Sequence, residues 1–137
     1  MTEGVLVVDK PLGCTSHDVV ARARRALGTR KVGHAGTLDP QASGVLVLGV
    51  GRATRLLGWL AASDKEYETT IVLGQGTTTD DAAGEVVAMA GTDHLDIDAI
   101  VGAARALTGD IRQRPSSVSA IKVDGKRAHA RVQIGRA

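Results

Sequence analysis

An α+β domain is the fold class this chain predicts, and three observations carry it. Apolar runs at strand period and apolar stripes at helix period follow one another without a regular strand-helix-strand rhythm. The apolar fraction is 43% of 137 residues and comes from Val, Leu, Ile and Ala, with Trp59 and Tyr67 as the only aromatic residues. That supply suits one domain with a moderate, aliphatic core. No internal repeat and no low-complexity linker breaks the sequence.

The elements are read in chain order. Gly4 to Asp9 is expected as a buried strand, and Lys10-Pro11-Leu12-Gly13 ends it because proline cannot donate to a central ladder. Ser16 is the expected N-cap of a helix to about Leu27, with Val19, Val20, Ala23, Ala26 and Leu27 on one face. Arg22, Arg24 and Arg25 lie opposite, and Gly28 is the stop. Val45 to Val50 reads as a second buried strand and Ala53 to Ala62 as a short helix. Glu66 to Leu73 alternates as a third strand, and Glu85 to Met89 suits a fourth. Asp96 caps a helix built on Ile97, Ile100, Val101, Ala104 and Leu107, which Gly109 ends. Val118 to Val123 followed by Asp124-Gly125 predicts a strand entering a tight turn.

Composition narrows the function classes. The single cysteine, Cys14, excludes an internal disulfide, and its spacing to His17, His34, His94 and His129 matches no zinc site. A reducing, cytoplasmic location is the expectation. No apolar run reaches the length of a membrane span, and Met1 leads into GVLVVD without a basic leader. The net charge of +2 conceals a segregation. Residues 1–60 carry eight Lys/Arg against four Asp/Glu, residues 61–110 two against ten, and residues 111–137 seven against one. Basic ends that meet would make a face suited to a phosphate backbone, whereas each block taken singly also reads as solvated surface.

Familiar sites are mostly excluded. Gly49-Val50-Gly51-Arg52-Ala53-Thr54 starts like a dinucleotide fingerprint, but Thr54 replaces the third glycine and no suitably placed acid follows. No P-loop string exists, and neither Ser16 nor Ser43 stands in a nucleophile elbow. Asp80-Asp81 lacks the glycine and terminal glutamate of a calcium loop, so a polar turn with capping threonines is the better account. What remains is Asp39, set between a glycine-rich stretch and an apolar strand in Gly33-His34-Ala35-Gly36-Thr37-Leu38-Asp39-Pro40. Pro40 pushes Asp39 away from helical backbone, and Gly33, Gly36 and Gly44 allow sharp turns or close approach. A rigidly presented acid on a loop is the expectation, against the commoner use of Asp-Pro as a plain turn.

Four blocks carry a resemblance: GVLVVDKPLGCTSHDVV, RKVGHAGTLDPQASGVLVLGVGRATRLL, DKEYETTIVLGQGTTTDDAAGEV and IRQRPSSVSAIKVDGK. In order and separation they resemble the TruB-type tRNA pseudouridine synthases, and LGQGTTTDDAAG resembles the bacterial stand-alone branch. The resemblance implies an isomerase that breaks the N-glycosidic bond of the T-loop uridine of tRNA and rejoins the base through carbon. It implies no metal, no cofactor, no membrane and no obligatory protein partner; the partner is the T-arm stem-loop of tRNA. Asp39 matches the family's nucleophile, which acts through a transient covalent link. Ordinary aspartic acids are ionised at neutral pH, so placement is the main requirement.

The same resemblance assigns His34 to RNA contact beside a flipped nucleotide and Tyr67 to packing against the target base. Without the family, Tyr67 reads better as an inward strand residue filling the core, and His34 reads equally well as a loop histidine bonded to local backbone. Lys10 and Pro11 are expected to shape the loop near the site. Arg30, Lys31, Arg52 and Arg55 are candidates for phosphate contacts. Family members continue beyond the last residue of this sequence with the second part of the catalytic domain, including an arginine that pairs with the catalytic carboxylate, and usually an RNA-binding domain. His129 stands where the family commonly has tyrosine. Residues 1–137 are accordingly expected to be the N-terminal part of one catalytic domain. The alternative is a truncated, inactive piece that only binds structured RNA.

Overall fold

The computed structural model describes residues 2–112 and the backbone of 122–123 and 126–127. Two compact units divide the chain, Met1–Tyr67 and Glu68–Ala137. In the first, β1 (Gly4–Lys10), α1 (Ser16–Leu27), β2 (Val32–Ala35) and β3 (Gly44–Val50) precede a 3-10 segment, Gly51–Leu56, and α2 (Leu57–Ala61). The second contains β4 (Gln75–Thr77), β5 (Val86–Met89), α3 (Ile97–Ala106), β6 (Lys122–Val123) and β7 (Lys126–Arg127). Strands and helices mix without regular crossovers, so the α+β expectation holds.

β3 is the centre of the first unit. It pairs antiparallel with β1 on one side and β2 on the other. Register then sorts the side chains, because directly paired residues share a face. Leu6, Val8 and Lys10 of β1 lie opposite Leu48, Leu46 and Gly44, and Val32 and His34 of β2 opposite Val50 and Leu48. That face takes the apolar stripe of α1, and Val19, Val20, Ala23, Val32, Leu38, Leu46, Leu48 and Val50 form the core. α2 covers part of the other face, where Gly33 and Gly49 lie opposite one another. A Cβ on Gly33 would stand 2.8 Å from Leu57 Cδ1, and one on Gly49 2.8 Å from the Ala53 carbonyl oxygen. Glycine permits this close seating of the 3-10 segment and α2.

Several boundaries differ from the sequence expectation, each for a local reason. The N-cap of α1 is Thr15, not Ser16. Thr15 is extended and forms a capping box: its hydroxyl accepts from the Asp18 N–H at 3.0 Å, and Asp18 Oδ2 accepts from the Thr15 N–H at 2.8 Å. Ser16 is thereby the first helical residue. Gly28 ends α1 as expected, with its N–H directed to the Arg24 and Arg25 carbonyls.

β1 forms where expected, but as an edge strand with Val5 and Val7 exposed rather than as a buried one. Leu6 is exposed as well, so β1 meets the core at Val8 and buries Lys10. The expected helix Ala53 to Ala62 begins instead as 3-10 turns at Gly51 and is α-helical for five residues. Glu66 to Leu73 is not a strand: no ladder partner meets it among the described residues, and Ile71, Val72 and Leu73 are exposed. An alternating pattern becomes a strand only when another strand offers a free edge.

In the second unit β5 agrees with expectation and pairs with β4, whose three residues give too short a pattern to read. Asp96 caps α3 by accepting from the Ala99 N–H at 2.7 Å, although the helix closes at Leu107, before Gly109. The Thr77–Gly84 segment is the expected polar turn. Asp81 accepts from Thr79 Oγ1 at 2.6 Å and from the Ala83 N–H at 2.9 Å, which together hold its carboxyl below the usual carboxylate range. β6 and β7 pair Lys122 with Arg127 and Val123 with Lys126. The turn Asp124-Gly125, the strand start at Val118 and His129 lie outside the described residues. No helix among the described residues is long and apolar enough to cross a membrane.

Lys10 is completely buried at the end of β1, where its ammonium donates to the carbonyls of Pro11 at 2.9 Å and Cys14 at 2.8 Å. Lys10→Met removes the donor from both carbonyls and is expected to destabilise the full-length protein by about 1–3 kcal/mol, read as a lower urea midpoint. Asp18 gives a pH signature. Its carboxyl is lowered chiefly by the Thr15 hydroxyl and then by the Thr15 N–H, so its stabilising effect is complete above the unfolded-state value and fades as pH falls through the folded-state one. Asp18→Asn therefore lowers the thermal midpoint at pH 7, and the gap to the parent begins to narrow as the pH falls below the ordinary value of 3.8 and closes only below the folded-state value.

Candidate active site

The loop between β2 and β3 holds Asp39, and its order comes from neighbours on both sides. Leu38, just before Asp39, is buried in the core and bonded twice to Ser16: its N–H donates to Ser16 Oγ at 3.0 Å, and Ser16 Oγ donates to its carbonyl at 3.0 Å. Pro40, just after, accepts at 2.7 Å from the Gly13 N–H. Within the loop the Ala42 N–H donates to the Asp39 carbonyl at 3.0 Å, closing a turn. Gly36, at φ +85°, lets the chain leave β2 in a conformation other residues rarely adopt.

The backbone of Asp39 is thus fixed while its side chain stays exposed. Among the described residues its carboxylate takes no hydrogen bond and forms no ion pair. A carboxylate held in this way is open to an incoming electrophile.

His34 sits in β2 rather than on a loop, a strand that sequence reasoning missed. Its Nδ1–H donates to the Gly36 carbonyl, so the expected bond to local backbone is present at the base of the Asp39 loop. Its ring meets His17 of α1 edge to face, with centroids 5.3 Å apart. His17 was not anticipated at the site; its position in the first turn of α1, on the side of the sheet that Leu48 and His34 share, was the available signal.

Tyr67 is 63% exposed, so the core-filling alternative is overturned. The segment carrying it runs beside the Asp39 loop. Lys65, two residues earlier, has its Cε 3.4 Å from where a Cβ on Gly36 would stand, and its ammonium donates to the carbonyls of Ala61 at 2.6 Å and Ser63 at 3.2 Å. Asp39, His34 and Tyr67 therefore all belong to the first unit.

Of the four proposed phosphate contacts, Arg52 is engaged by Glu3, with Nε 2.6 Å from Oε2. Arg30, Lys31 and Arg55 are exposed. Lys10 and Pro11 behave as expected of loop-shaping residues: the buried ammonium gathers the Pro11 and Cys14 carbonyls, and the same loop supplies the Gly13 N–H that donates to Pro40.

Known proteins bear on this arrangement. The tRNA pseudouridine synthase B of Thermobifida fusca (strain YX) is 62% identical over 135 residues, covering 98% of this chain and 46% of the relative. That of Rhodococcus jostii (strain RHA1) is 66% identical over 132 residues, covering 96% and 43%. The chain thus spans less than half the length of these curated relatives. Among solved structures, the crystal structure of a Cbf5-Nop10-Gar1 complex aligns with a TM-score of 0.56 at 31% identity, over 87% of this chain and 31% of that one. The description "TruB family pseudouridylate synthase (N terminal domain)" matches residues 24–137, a span that contains His34, Asp39 and Tyr67. Through that match the chain belongs to the TruB family of pseudouridylate synthases, in the part that forms their N-terminal domain.

Proposed function

We propose that residues 1–137 are the N-terminal part of a single catalytic domain that converts the T-loop uridine of tRNA to pseudouridine, with Asp39 as nucleophile. The observation that carries this reading is a loop whose peptides are fixed at Leu38 and Pro40 while the intervening carboxylate faces solvent. Family membership and relatives called tRNA pseudouridine synthase B support the reaction class. The reaction breaks the bond between N1 and C1′ and forms one between carbon 5 and C1′. The proton on carbon 5 leaves to solvent, and N1 takes one up. Nothing is oxidised or reduced.

A uridine inside a folded T-loop must leave its stack before a carboxylate can reach it, at a cost of a few kcal/mol. Tyr67, exposed and borne on a segment beside Gly36, offers a ring face for the extruded base. His34 holds the loop through the Gly36 carbonyl and keeps Nε2 for RNA. Arg30, Lys31 and Arg55 supply cations for the phosphate backbone, so binding weakens with salt. The T-arm stem-loop is the minimal substrate, and the work is cytoplasmic.

The test is release of tritium from uridine labelled at carbon 5 in a T-arm stem-loop, catalysed by the full-length protein. Asp39→Asn is expected to reduce release by about a thousandfold or more while RNA still binds. Label release undiminished by Asp39→Asn sinks the mechanism; RNA binding without release by the parent leaves only an inert binder. Tyr67→Ala should lower kcat/KM by the loss of one stacking contact, about 1–3 kcal/mol, or roughly 5- to 150-fold. Because the ring is exposed, the thermal midpoint of that variant stays at the parent value.

A further inference from the structure

We propose that Ser16 is a positioning residue for Asp39. It touches no substrate; it sets the direction in which the carboxylate leaves its loop. The inference rests on the reading of Asp39 as nucleophile given above. Ser16 is 2% exposed, and its Oγ lies 3.0 Å from both the nitrogen and the carbonyl oxygen of Leu38, a residue 22 positions away in sequence. A hydroxyl donates and accepts at once, so one side chain satisfies both polar groups of the residue that precedes the nucleophile.

Two features separate this hydroxyl from ordinary helix capping. The cap of α1 is complete without it, because Thr15 and Asp18 exchange the capping-box bonds between themselves. Ser16 makes its bonds outside its own helix, to the loop that follows β2. The loop's other anchor, Gly13 N–H to Pro40, comes from the same short segment. Asp39 is therefore suspended between two peptides tied to residues 13–16. Loss of the Ser16 bonds frees one end, and a displacement near 1 Å at a reacting group costs about a hundredfold in rate.

The test compares Ser16→Ala, Thr15→Ala and Asp39→Asn in the full-length protein, with T-arm stem-loop RNA labelled at carbon 5. Ser16→Ala is expected to lower kcat by about a hundredfold while RNA affinity stays within about threefold of the parent. Amide exchange at Leu38 should accelerate in that variant, with the α1 amides still protected. Thr15→Ala weakens the cap without touching Leu38, and it should retain kcat within about threefold. Parent-level kcat in Ser16→Ala overturns the inference, as does an equal loss in Thr15→Ala, which would reduce Ser16 to helix stability. If Ser16→Ala does not fold, Ser16→Cys carries the test: its thiol fills the space and bonds weakly, so kcat should fall about tenfold, and an unchanged kcat overturns the inference. Full activity in Asp39→Asn instead overturns the underlying reading of the site, whatever Ser16 does.

Discussion

A lysine ammonium withdrawn from water organises the end of the sheet where Asp39 stands. Lys10 continues the inward side of β1 after Leu6 and Val8, a position where an aliphatic residue would be expected, and it is completely buried. A buried cation is tolerable only when its donors are used. Two of them go to the carbonyls of Pro11 and Cys14, so the chain must curl around the ammonium directly after the strand. That curl places the Gly13 N–H against Pro40 and starts α1 at a point where the Ser16 hydroxyl meets Leu38. The order of the acid loop thus descends from a buried cation at the end of β1.

The sheet supplies the second half of the constraint. β3 runs between β1 and β2, so the loops at one end of it, 11–15 and 36–43, are held at a common edge by register alone. Lys10 pairs with Gly44 and Ala35 with Val47, which fixes where each loop leaves its ladder. Leu38 then drops from the acid loop into the core that also holds Leu46 and Val20. Burial of that side chain stabilises the loop by an amount on the order of 2 kcal/mol, and it determines which way the next residue points. Core packing and site geometry are therefore the same contact seen from two sides.

Much of this was legible in sequence. The apolar runs of β1, β3 and β5 and the stripes of α1 and α3 announce their elements to within a residue or two, and Asp39 stands out by its glycines and proline. What stayed hidden depends on partners far away in the chain. β2 has four residues, two of them Gly33 and Ala35 with little strand preference, and it exists because β3 has a second edge to offer. Glu66 to Leu73 fails for the opposite reason, having the alternation but no edge to join among the described residues. Ser16 looked like a cap because serine so often is one; Thr15 and Asp18, spaced as a capping box, already contained the signal that the cap lay one residue earlier. Lys10 could have been marked as inward-facing from its parity with Leu6 and Val8, although parity says nothing of the carbonyls that receive it.

The arrangement also explains why Asp39 needs its neighbours more than it needs bonds of its own. A carboxylate tied up by several donors would be well ordered and a poor nucleophile, since each bond must be given up as the new one forms. Fixing the flanking peptides instead orders the side chain's point of departure and, among the described residues, leaves both oxygens open. The hydrogen bonds sit on Leu38 and Pro40, the turn closes on the Asp39 carbonyl through Ala42, and the proline ring restricts the residue before it. Placement without occupation is what a nucleophilic acid requires, the role proposed above for Asp39, and the backbone on either side supplies the placement.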